Sequence, residues 1–254
     1  MNKLFAALSL ILLGMVIFWV WKDENREWKT YQRTFHALEQ EKAKASGKSN
    51  PSMNKLEIKQ IVIPELDRVD RCISCHLGVE DSTNAFAPQP YTYHPNYMLH
   101  PFEKFGCTIC HLGQGRATTE KAAHGEVKFW EEPLLPLKYI QSSCGKCHLD
   151  ATLAGALELS QGIAKYEEYD CGECHKIKGE GGTDGPDLSE VGSHRNPDYL
   201  FKLLKDPEAL NPETGMPNFE LSDEEIDALI VYLLSLTKEK IPSEYLYSKS
   251  IVRE

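Results

Sequence analysis

Four copies of one short unit, Cys-x-x-Cys-His, constrain this chain more than anything else in it. They read CISCH at 72–76, CTICH at 107–111, CGKCH at 144–148 and CGECH at 171–175. All eight cysteines fall in these pairs: Cys72/Cys75, Cys107/Cys110, Cys144/Cys147 and Cys171/Cys174. None is left over for a structural disulfide. A histidine closes each unit: His76, His111, His148 and His175.

Three chemistries use paired cysteines. Zinc sites do, but a second ligand pair usually follows some distance away. A thioredoxin-like redox pair needs a βαβ setting, which the sequence does not offer. Covalent c-type haem needs two thiols to bond the porphyrin vinyl groups and an adjacent histidine to ligate iron from the proximal side. Only this reading uses the histidine in every copy, so the expected cofactors are four covalently bound haem c groups, each with its iron.

The N-terminus is of another character. Residues 4–21, LFAALSLILLGMVIFWVW, carry no charge. Eighteen helical residues rise about 27 Å, enough to span a hydrocarbon core. Lys3 precedes the run, and Trp19 and Trp21 stand where an interfacial aromatic belt would. Bulky Phe18, Trp19, Val20 and Trp21 end it in place of a small-x-small cleavage site, so an uncleaved anchor over residues 1–22 is expected rather than a removed signal peptide. Haem attachment of this type occurs outside the cytoplasmic membrane. The expected placement is therefore single-pass in the inner membrane, with the N-terminus cytoplasmic and the bulk periplasmic.

Residues 24–46 read as a helix within a 23–52 linker region. Trp28, Tyr31, Phe35 and Leu38 form a narrow apolar seam suited to a partner helix. His36 falls on the flank away from that seam. GKSNPS (47–52) breaks the helix, and KLEIKQIVIPE (55–65) is expected to hold a short strand. From residue 66 to about 150 periodic patterning is poor and His, Gly and Pro are frequent. Three haems would supply the missing apolar bulk, so 53–150 is expected to be an irregular trihaem module with the porphyrins as its core.

Residues 151–240 look like a domain of their own, followed by a tail at 241–254. ALELSQGIAKYEEY (156–169) reads as a helix leading into the fourth motif. LSDEEIDALIVYLLSLT (221–237) carries a marked helix start: Ser222 as cap, Glu225 reaching back, and Leu221 stapled to Ile226. Ile226, Leu229, Ile230, Leu233 and Leu234 form its apolar face, and Pro242 lies beyond its end.

GPDL (185–188) and GMPNF (215–219) separate the fourth motif from that last helix. Over roughly residues 155–238 the chain resembles the class I, mitochondrial-type cytochromes c. The family crosses an N-terminal helix bearing a glycine and an aromatic over a C-terminal helix; Gly162 and Tyr166 match the first, Leu229 and Tyr232 the second. The resemblance implies that Pro186 accepts a hydrogen bond from His175 through its carbonyl, and that Met216, standing before Pro217, is the sixth iron ligand. A thioether favours reduced iron, so this haem is expected to have a raised potential. Arg195 is a candidate partner for a haem propionate.

The first three motifs have no Met-Pro element, which leaves histidine as their sixth ligand. His94, His100 and His124 lie around the second motif in a stretch that resembles segments of membrane-associated multihaem cytochromes c. They are the expected distal ligands. His194 belongs to the region that already has Met216 and is expected at the surface.

The expected fold is mainly α: a transmembrane helix, the irregular trihaem module and an all-α class I domain. Residues 1–160 carry 18 basic and 18 acidic side chains, whereas 161–254 carry 10 and 20, so the whole net charge of −10 sits in the last third. That argues against nucleic acid and for a soluble acceptor with a basic face. The expected function is electron relay, without catalysis by the chain alone, as a subunit of a quinol-oxidising cytochrome b-type complex. Its other partners are then the membrane and that complex's redox subunits. Alternatives are an electron donor to a photosynthetic reaction centre or terminal oxidase, and a small haem reductase with an open iron site. A structural scaffold role is disfavoured by four redox centres.

Overall fold

A computed structural model describes residues 2–47, 55–95, 99–148, 153 and 155–247. The expected domain boundary at 150–151, most of the break at 47–52 and the tail beyond 247 lie outside the described residues. The protein is mainly helical, as expected, with an N-terminal apolar helix and a helical C-terminal unit. It divides into two compact units, 1–108 with 112–134, and 109–111 with 135–254; the division runs through the second motif.

The first unit opens with α1 (Asn2–Glu24). Lys3–Glu24 is long and apolar enough to cross a membrane, and none of it is buried within the protein. A two-residue break leads to α2 (Glu27–Ala45). Charges knit the break together: Asp23 accepts from Arg26 Nε at 2.7 Å and pairs with Lys29 Nζ at 2.9 Å. The seam of α2 packs on its own unit rather than waiting for a partner helix. Trp28 is buried, and the Phe35 ring lies 5.5 Å from Tyr91. Buried Gln32 donates to the carbonyls of Glu57 and Ser74, so an aromatic seam with one amide on its buried side is used to grip the loops below.

The expected strand is shorter than its sequence pattern. β1 (Ile61–Ile63) pairs antiparallel with β2 (Arg68–Asp70), Ile61 opposite Asp70. Ile61 and Ile63 bury one face and close a small apolar cluster with Phe102. The rest of the unit is built of single turns: a 3-10 turn at Cys72–Ser74, α3 (Phe102–Phe105), α4 (Thr108–His111), which straddles the two units, and α5 (Glu120–Ala123). Residues with no 3.6-residue period make no long helix.

The second unit is a conventional helical core. A 3-10 segment (Leu137–Lys146) precedes α6 (Leu157–Glu168), which runs into α7 (Cys171–Cys174). A minimal hairpin of β3 (Lys176–Ile177) and β4 (Glu180–Gly181) follows. Then come α8 (Val191–His194), α9 (Pro197–Lys205), α10 (Pro207–Leu210) and α11 (Asp223–Ser235). Asn196 caps α9, accepting from the Tyr199 N–H, with Pro197 preset for the first turn. Ser222 and Glu225 form the capping box of α11, and Leu221 and Ile226 are both buried at its start.

Helix α11 is the hub, packing against α6, α8, α9 and the 3-10 segment. Ile226, Leu229, Ile230, Leu233 and Leu234 are all buried, with Ala228 and Val231 besides. At about 1.5–3 kcal/mol for each fully buried large aliphatic side chain, this one helix supplies much of the unit's stability. The crossing with α6 depends on Gly162. A Cβ there would overlap the Ala228 carbonyl oxygen, so no other residue lets the two backbones meet. The Tyr166 and Tyr232 rings flank the crossing edge to face at 5.4 Å.

Candidate haem sites

At the fourth motif, α7 is a single turn that carries Cys171 and Cys174 at its two ends. The turn begins with Asp170 in the left-handed region, φ 50°, which swings the chain out of α6. His175 leaves the turn in extended conformation. Its Nδ1 lies 2.9 Å from the carbonyl oxygen of Pro186, as the class I resemblance implies. The Gly-Pro segment is itself pinned: the Gly185 N–H donates to the Cys174 carbonyl at 2.9 Å. An imidazole that donates from Nδ1 holds its lone pair on Nε2, the tautomer a proximal iron ligand requires.

Met216 lies half-buried in the segment between α10 and α11, its N–H donating to Thr214 Oγ1 at 3.2 Å. Three residues on, the Phe219 ring meets Tyr169 edge to face at 5.8 Å, tying this segment back to the end of α6. Arg195 is exposed, its guanidinium over the Tyr199 ring at 4.9 Å and its Nη1 donating to the His194 carbonyl. His194 is also exposed, 3.8 Å from Glu190.

Glu225 does more than the sequence disclosed. Besides its part in the capping box it accepts from Lys165 Nζ at 2.9 Å and from Tyr169 OH at 3.0 Å, joining α11 to α6. The Lys165 contact, followed by the Ser222 N–H and the Tyr169 hydroxyl, draws its carboxyl down to about 2.

The third motif ends the 3-10 segment. Ser143 Oγ donates to the Cys110 carbonyl at 2.6 Å and Lys146 Nζ to the Ile109 carbonyl at 3.1 Å, which brings part of the second motif beside the third. The His148 ring packs against Tyr247 at 5.3 Å.

In the first unit a residue that sequence patterning does not single out organises the second motif. Asp70 is wholly buried. Its Oδ2 accepts from the N–H groups of Cys107 and Thr108 at 2.6 and 2.9 Å, and its Oδ1 accepts from Thr108 Oγ1 at 2.7 Å. A carboxylate two residues ahead of Cys72 thus caps the turn that carries Cys107. Nothing local in RVDRC announces this, because the partners are 37 and 38 residues away.

The candidate distal histidines fall into two places. The His94 ring lies edge-on to Phe102 and the His100 ring to Phe105, on the one-turn helix that precedes the second motif. Burial, then the charge of His100, holds His94 below the usual imidazole range. His124 follows α5, its N–H bonded to the Glu120 carbonyl. Burial, then the charge of His124, lowers His76 in turn, while the Pro90 carbonyl acts as its hydrogen-bond acceptor. His36, on α2, is half-buried beside Phe35.

None of the eight cysteines pairs with another in a disulfide. Burial pushes the Cys75 thiol up to about 12, and raises Cys144, Cys147 and Cys171 as well. Two buried donors of the first unit, Trp28 Nε1 and Asn84 Nδ2, have no hydrogen-bond partner among the described residues. A buried donor without an acceptor is costly, and a haem carboxylate is the kind of acceptor that would relieve it.

The geometry therefore accommodates covalent haem. When bound, the group supplies a reversible one-electron couple at its iron. At the fourth site Cys171 and Cys174 would be the attachment points for such a group, and the contact with the Pro186 carbonyl would lock the His175 tautomer. The chain also closes the Met216 segment over the end of α6.

Residues 159–237 match the family model described as cytochrome c. Over 86 residues, 30% of this chain and 25% of the relative, the sequence is 33% identical to the second subunit of cytochrome c oxidase from Alkalihalophilus pseudofirmus. Over 78 residues, 27% of this chain and 52% of the relative, it is 36% identical to the C subunit of nitric oxide reductase from Paracoccus denitrificans. The match thus spans about half of one curated relative and a quarter of the other. No solved structure matches the chain significantly. Its C-terminal region is a cytochrome c domain, a kind that carries covalently bound haem c and transfers electrons.

Proposed function

We propose that the chain is a membrane-anchored tetrahaem c-type cytochrome that relays electrons to a soluble acceptor as a subunit of a quinol-oxidising cytochrome b-type complex. The observation that carries this reading is the fourfold Cys-x-x-Cys-His unit, complete with its histidine each time. α1 is the anchor, with the bulk of the chain periplasmic. The 53–150 region is the trihaem module and 151–240 the class I domain. The haems attach through Cys72/Cys75, Cys107/Cys110, Cys144/Cys147 and Cys171/Cys174. His76, His111, His148 and His175 are their proximal ligands, Met216 is the sixth ligand of the fourth, and His94, His100 and His124 serve the others. Both curated relatives are named as subunits of redox enzymes, which supports a place in a multi-subunit complex.

Intact mass of the purified chain tests the core of this reading. It is expected to exceed the polypeptide by four haem units, with a pyridine haemochrome assay in agreement. Fewer haems, or bound zinc in their place, would overturn it. Purification from membranes with copurifying subunits then identifies the complex.

A further inference from the structure

We propose that His124 is the sixth ligand of the first haem, on the face of the iron opposite His76, and that Tyr31 and Glu27 of α2 hold it there through Glu120. This rests on the tetrahaem reading and goes beyond it, because four motif histidines and five others do not say which pairs with which.

Two tethers on one turn of α2 carry the assignment. Tyr31 OH donates to Glu120 Oε2 at 2.6 Å, and the Glu120 N–H donates to Glu27 Oε1 at 2.9 Å. Glu120 opens α5, and His124 closes it, its N–H on the Glu120 carbonyl and its own carbonyl accepting from the Leu134 N–H. The second tether runs to the first motif. Tyr91 OH donates to the Tyr31 carbonyl at 3.0 Å. Tyr91 in turn lies against the turn that follows His76: a Cβ on Gly78 would overlap the Tyr91 carbonyl oxygen, so only glycine fits. One residue, Tyr31, therefore holds both the segment beside His76 and the helix that ends in His124.

Two other candidate ligands of the first unit are engaged elsewhere. His94 and His100 pack on Phe102 and Phe105, ahead of the second motif. Glu27 and Glu120 also lie close enough to Cys75 to act on its thiol, placing the whole network beside the first attachment site. Tyr31, Glu27 and Glu120 are positioning residues here; they fix a ligand's orientation without touching the iron.

Carbon monoxide binding to the reduced full-length protein tests the pairing, because only a haem that has lost its sixth ligand takes it up. His124→Ala is expected to add one carbon monoxide per chain relative to the parent, with one haem becoming high-spin when oxidised. In a Cys72→Ala/Cys75→Ala background, which lacks the first haem by mass, adding His124→Ala should bring no further uptake. Additional uptake in that background would assign His124 to another haem and overturn the proposal. His124→Met covers the case in which the alanine variant fails to assemble: it should create a second methionine-to-iron charge-transfer band that vanishes in the same background, and persistence of the band overturns the pairing. Tyr31→Phe should keep four haems and their ligands but shift the electron paramagnetic resonance signal of one bis-histidine haem. An unchanged signal would remove Tyr31 from the account. A parent protein with fewer than four haems is seen by mass alone, and that outcome rejects the tetrahaem reading rather than the pairing.

Discussion

Two single residues show how differently one side chain can matter in this protein. Met216, on the proposed reading, acts on the electronic state of a metal, and Asp70 acts on backbone geometry. Replacing Met216 with His should leave the fourth haem low-spin while lowering its potential, since imidazole favours the oxidised iron more than a thioether does. A redox titration in which the high-potential wave is unmoved by Met216→His would point to another ligand. Asp70 is buried and satisfies two N–H groups and a hydroxyl at the second motif. Asp70→Ala leaves all three donors in the interior without that acceptor, which should cost on the order of 3 kcal/mol. The loss should appear as a lower melting temperature and incomplete haem loading at Cys107/Cys110, with the fourth site unaffected.

At the scale of elements, the pair α6 and α11 is held by a close backbone crossing and by one carboxylate with several partners. Glu225 caps its own helix and receives Lys165 and Tyr169 from the other. Its carboxyl titrates at about 2 in the folded protein against 4.5 unperturbed. A depressed folded value means that its stabilisation is fully present above about 4.5 and is lost as the pH falls through about 2. Glu225→Gln should therefore lower stability at neutral pH yet leave a shallower acid limb between those values. Thermal melts of both proteins across that range measure it; parallel acid limbs would show that other carboxyls dominate. Helix α2 works in another way, as a bracket whose polar residues Gln32, Tyr31 and Glu27 hold loops and the single turn of α5.

For the whole molecule, the uneven charge and the ligand sets bear on direction. The last third carries all of the net negative charge. On the proposed reading the three haems nearer the anchor in the chain receive electrons and the fourth, with its His/Met ligands, delivers them. Potentiometry should then find the fourth haem to be the highest-potential centre. Stopped-flow oxidation by a basic acceptor should slow as salt is added, because the Debye length shrinks to about 8 Å at physiological ionic strength. Acceleration by salt would mean that docking uses another face.

Whatever is local or periodic in this protein was legible in the order of its residues. The four Cys-x-x-Cys-His units, the apolar span, the capping box of α11 and its buried stripe are each set by residues within a turn or two of one another. Gly162 and Tyr166 were legible only through the resemblance to class I cytochromes c, and the close crossing with α11 gives their physical reason. Contacts that join distant segments were settled only by packing. β1 shrank to three residues because pairing with β2 ends where the 3-10 turn begins. The seam on α2, written as if for a partner helix, closes on Tyr91 of the same chain. Asp70 reaches 37 residues ahead to the second motif, Glu225 reaches back to α6, and Tyr31 joins the two segments beside the first. A hydrogen bond between residues dozens of positions apart leaves no period in the sequence, since its geometry exists only once the intervening chain has been packed.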